Sequence, residues 1–143
     1  MKDEISVFLA AQVEIAPVQS FDECAKLLNA VLNGFDLRVD NDCRFDEYPA
    51  FIADALGVEL VLFGIPLTDE IEAHDRSEHY VLRLSSHVKL PVLNWRAVAV
   101  GTFLTQILPL NALSPAHRVD LSGELADYLM RCGFKGCIAA IQA

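Results

Sequence analysis

Three observations predict an α+β domain, a mixed and partly antiparallel sheet with helices packed on it. Residues 5–9 and 79–85 place apolar side chains on one face at period two, the spacing of strands. Residues 21–32 carry apolar side chains at helical spacing behind a capping signal. Val58 to Phe63 is an unbroken apolar run apart from Glu59, closed by Gly64 and Pro66, as in a buried strand. Helices are thus interspersed with strands, and the predicted order is β-α-β-α-β-β-α-α-β over one domain, residues 1–143.

The elements follow in chain order. Residues 4–13 read as a strand with Ile5, Val7 and Leu9 on one side. Ser20 stands three residues before Glu23, a capping box in which each side chain meets an orphan backbone donor. Phe21, Cys24, Ala25, Leu28, Val31 and Leu32 then mark the buried stripe of a helix that Gly34 ends. Asp36 to Asp40 alternates as a short strand, and residues 41–44 read as a turn. Pro49 suits a first helical position, so a short helix is expected to Leu56, stopped by Gly57. Strands at Val58–Phe63 and His79–Ser85 flank a polar loop, Leu67–Glu78; Tyr80, Leu82 and Leu84 share one face of the second strand. Asn94 is expected to cap a helix through Leu108. Ser122 or Asp120 caps another over Glu124–Cys132, ended by Gly133, and Cys137–Ile141 is a closing strand.

Apolar residues make up 53% of the 143 and charged residues 22%, a balance that supports a folded core rather than disorder. The start lacks the apolar run of a secretory signal, and the most apolar stretch, Ala97–Leu110, is uncharged but shorter than the roughly 20 residues a membrane span needs, so it is expected as a buried core helix. The four cysteines, Cys24, Cys43, Cys132 and Cys137, are therefore expected as reduced thiols of a cytoplasmic protein that spans no membrane.

The net charge of −9 is not spread evenly. Between Asp36 and Glu78 stand twelve acids and three arginines, while the remainder of the chain balances to zero. Two clusters concentrate it. One holds Asp40, Asp42, Asp46 and Glu47 beside Tyr48; the other holds Asp69, Glu70, Glu72, Asp75 and Glu78 just before Tyr80. Such fields attract cationic partners and repel polyanions, so a basic protein is the expected partner and nucleic acid is not. The acids and the two tyrosines are the candidate contact residues, the tyrosines as aromatic anchors.

Other chemistries fit poorly. Counted from Asp40, the fifth and sixth positions are Arg44 and Phe45, where a calcium loop needs an oxygen ligand and glycine. His74 and His79 are five apart on a polar stretch, neither the spacing of zinc ligands on a helix nor a triad drawn from separate elements. Cys132 and Cys137 enclose four residues rather than the two of a redox motif. No nucleotide-binding glycine pattern and no nucleophile elbow is present, so neither catalysis nor a metal or other cofactor is expected.

The segment from Phe45-Asp46-Glu47-Tyr48-Pro49 through Val58 to Pro66, in an acidic chain of this size and class, resembles the cytoplasmic immunity proteins that bacteria encode beside contact-dependent and other polymorphic toxins. The resemblance implies a monomer that neutralises a cognate basic toxin, commonly a nuclease, with carboxylates standing where the toxin expects phosphates. A second resemblance, to the small acidic chaperones of type III secretion effectors, implies a homodimer with Trp95–Leu110 as its apolar face.

Overall fold

A computed structural model of the chain describes residues 6–40, 49–55, 57–65, 79–86, 90–91, 102–107 and 118–140. The α+β class is observed: one mixed sheet with helices packed on it. Strand β1 (Ser6–Ile15) leads into helix α1 (Phe21–Val31), then β2 (Arg38–Val39), β3 (Ala50–Ala55), β4 (Val58–Phe63), β5 (Tyr80–Ser86) and β6 (Leu90–Pro91). Helix α2 (Leu104–Ile107), β7 (Arg118–Asp120), α3 (Ser122–Arg131) and β8 (Cys137–Ala139) complete the described elements. The strands run β2-β3-β4-β5-β1 through antiparallel pairs, and β6, β7 and β8 all pair with β1.

The period-two pattern decides which face is buried. Leu9, Ala11, Val13 and Ile15 of β1 point into the core beside Tyr80, Leu82 and Leu84 of β5, and Val58, Leu60 and Leu62 of β4. In register, Val13 stands opposite Leu82 and Leu82 opposite Leu62, so one apolar row crosses three strands. Helices α1 and α3 cover this face with Cys24, Ala25 and Leu28, and with Leu125, Ala126 and Leu129. The α1 start is the expected one: the Glu23 amide donates to Ser20 Oγ at 3.2 Å. At its other end Gly34 takes φ +90°, and a Cβ there would meet Thr102 Cγ2 at 2.5 Å, so glycine lets the α2 segment close in.

One expectation is corrected. The segment after Pro49 is a strand, not a helix: Ala50–Ala55 pairs residue for residue with Val58–Phe63. Gly57, at φ +76°, turns the hairpin rather than ending a helix. Proline is tolerated as the residue leading into this strand, where its carbonyl accepts the Gly64 amide at 2.8 Å although it has no N–H to return the bond. The core placement expected for the apolar stretch Ala97–Leu110 is observed where it is described: Phe103, Leu104 and Ile107 are buried. Of the helix expected over Asn94–Leu108, Leu104–Ile107 is helical and the remainder lies outside the described residues, apart from Thr102 and Phe103 just before α2.

The C-terminal part completes the edge of β1 opposite β5. Strand β7 pairs parallel with Phe8–Ala10, and β8 pairs antiparallel with Val13–Ile15. Between them the Gln12 amide donates to Ser122 Oγ at 2.9 Å, and the Gln12 carbonyl accepts the Ala140 amide at 2.8 Å. Asp120 Oδ1 in turn accepts both the amide and the hydroxyl of Ser122. A serine at the helix start thus substitutes for a missing ladder partner.

Candidate acidic interface

The hairpin register brings one end of the sheet together. Glu14, Val81, Phe63 and Ala50 are successive partners across β1, β5, β4 and β3. At this rung the Asp40 amide donates to the Ala50 carbonyl at 2.9 Å. The chain therefore leaves for residues 41–48 and returns from them at the same sheet end where residues 66–78 leave and return. Both acidic clusters are tethered at a single end, through stems a few ångströms apart across a ladder.

Helix α1 opens at that end too. The Phe21 ring lies 5.0 Å from Phe51 and 5.4 Å from Tyr80, which holds the first turn over the stems. Asp22 and Glu23 are exposed in this turn, and Glu14 Oε1 is 3.8 Å from His79 Nδ1. Acids near a helix start face the positive end of its dipole, so they sit there without local penalty. Glu14, Asp22 and Glu23 were not among the candidates from sequence. They lie outside the acidic run Asp36–Glu78, and only the β1–β5 pairing and the α1 approach place them at this end of the sheet.

Of the candidate residues, Asp40 is half-buried at a stem. Asp42, Asp46, Glu47, Tyr48, Asp69, Glu70, Glu72, Asp75 and Glu78 lie outside the described residues. Tyr80 is corrected as an anchor for a partner: it is 7% exposed, its hydroxyl donates to the Gln19 carbonyl at 2.9 Å, and burial pushes its pKa up. A side chain already engaged on both its ring and its hydroxyl is a core post, not a contact surface.

The acidic stretch also divides in space. Asp54 pairs with Glu59 across the β3–β4 hairpin beside Gly57, at the opposite end of the sheet. Asp36 is held by Arg38 Nε at 2.9 Å on the surface. Sequence continuity thus overstates the patch, although the stems that flank the two clusters meet at one end of the sheet.

Chemistry beyond contact is sparse. Among the described residues no group of three His, Cys, Asp or Glu side chains is arranged to hold a metal, and no helix is long and apolar enough to cross a membrane. Cys24, Cys132 and Cys137 carry free thiols. Burial raises Cys24 to about 11, opposed by a side-chain hydrogen bond with Gln19 and reinforced by nearby Cys137, whose own pKa burial also raises. Thiols held protonated in this way are poor nucleophiles. No protein-family model, no curated protein and no solved structure matches the chain.

Proposed function

We propose that this chain is an immunity protein of bacterial toxin systems, which acts in the cytoplasm by binding and neutralising a cognate basic toxin domain through the acidic end of its sheet. The observation that carries the reading is the convergence of stems: residues 41–48 and 66–78 hold eight acids against two arginines, and both segments spring from the rung that joins Ala50, Phe63 and Val81. Asp22 and Glu23 at the α1 start extend the same field. An anionic surface of this kind speeds encounter with a cation-rich partner and competes with a phosphate backbone for its groove.

The test is co-expression with the product of the adjacent upstream reading frame. That product is expected to arrest growth alone and to be tolerated when this chain is present. A product harmless by itself, or one that still kills beside this chain, overturns the proposal.

A further inference from the structure

The acidic end does not use a groove on the outer side of α1. Its volume is about 270 Å³, and Val18, Leu27, Ala30, Val31, Phe134 and Lys135 are among its walls, all of them described residues. It lies between α1 and the turn after α3, where Gly133 takes φ +106° and lets the chain fold back. The turn is fixed by the Phe134 amide donating to the Leu129 carbonyl at 3.0 Å, and by the Tyr128 hydroxyl donating to the Val31 carbonyl at 2.6 Å. These bonds tie the two walls together, so the groove is a formed feature of the fold.

Its lips are apolar and open: Val18 is 70% exposed and Leu27 43%. Both side chains gain by burial, and neither is covered by another described element. The volume falls below the roughly 300–1,000 Å³ of sites for drug-sized molecules, which restricts the occupant to one alkyl chain or its equivalent. Lys135 is the charged residue among those that line this otherwise largely apolar groove, and it is exposed.

From this pairing we infer that the groove binds a medium-length alkyl carboxylate, with the chain along Leu27, Ala30 and Phe134 and the carboxylate on Lys135. The ammonium and carboxylate form a charge-assisted hydrogen bond at the rim, where both keep part of their hydration. The inference stands apart from the toxin reading and uses a different surface.

The test is a backbone-amide NMR titration of the full chain with sodium octanoate, and in parallel with 1-octanol. Saturable shifts are expected at Val18, Leu27, Ala30, Val31 and Phe134, with a Kd near the millimolar range, about −4 kcal/mol. Octanol is expected to bind about tenfold more weakly. Lys135→Gln should weaken octanoate by about the same factor and leave octanol unchanged, whereas Lys26→Gln, exposed on α1 but not among the groove's walls, should alter neither. Ala30→Phe fills the trough from an exposed position and should abolish both. Absence of saturable shifts in the groove up to about 10 mM, octanol binding as tightly as octanoate, or an unaffected Lys135→Gln variant each overturns the inference. The lysine variant alters only an exposed side chain, so the test survives if Ala30→Phe fails to fold.

Discussion

At Cys24 the protein holds a thiol with no exposed surface, among Ala25, Leu28 and the core face of the sheet. The ionised form is penalised by loss of water, which raises the pKa from 9.0 to about 11. The unfolded thiol loses its proton first as pH rises, so the folded state binds more protons between these values. Its stabilising contribution is complete below pH 9 and is lost as pH approaches 11. Denaturant midpoints should therefore fall across that window by an amount equivalent to at most ~2–3 kcal/mol, and Cys24→Ala should flatten the fall. An unchanged slope in the variant would assign the loss to other groups. Tyr80 teaches the complementary lesson. Its alternation with Leu82 and Leu84 already put it on the inward face, and that periodicity outweighs the general preference of interfaces for tyrosine.

Among the elements, α1 was fully legible because its signals are local: a cap at Ser20, an apolar stripe, and a glycine beyond its end. The β3 strand was not, since Pro49, a short Ala-rich segment and Gly57 are as consistent with a helical turn as with a hairpin. Only pairing with β4 decides between them, and pairing is a tertiary fact. Strands β6 and β7 are two and three residues long, too short to carry any period, whereas β8 was legible as the apolar run expected over Cys137–Ile141. Their positions depend instead on bonds such as that from the Gln12 amide to Ser122 Oγ. Ser122 is 2% exposed, so Ser122→Ala strands a shielded donor and should cost about 1–3 kcal/mol by urea unfolding. Ser122→Thr keeps the oxygen and should recover part of that loss. Equal losses in both variants would show that space, rather than the hydrogen bond, governs the site.

For the whole molecule, the sequence disclosed how much charge there is but not where it gathers. Asp54 and Glu59 belong to the acidic run yet sit at the far end, whereas Asp22 and Glu23 lie outside the run and sit at the near end. The hairpin ladders sort these residues. If the acidic end steers a basic toxin, Asp22→Asn with Glu23→Gln should slow association about threefold or more at low salt, reduce its salt dependence, and leave dissociation nearly unchanged. Stopped-flow mixing measures both rates. Equal association rates for the variant and the parent chain would remove α1 from the steering surface.

Strand β1 has a consequence for how the molecule is made. It is the first described element of the chain, yet its partners include β5, β7 and β8, the last of which ends at Ala139. Contacts this distant in sequence raise contact order, and loop closure must be accomplished before they repay it. On a ribosome, β1 emerges early and waits for nearly the whole described chain before its second edge is filled. Until then an apolar strand keeps an unpaired side, the template on which chains associate wrongly. Truncation before Arg118 would make that interval permanent, converting the most central strand of the sheet into its most adhesive edge.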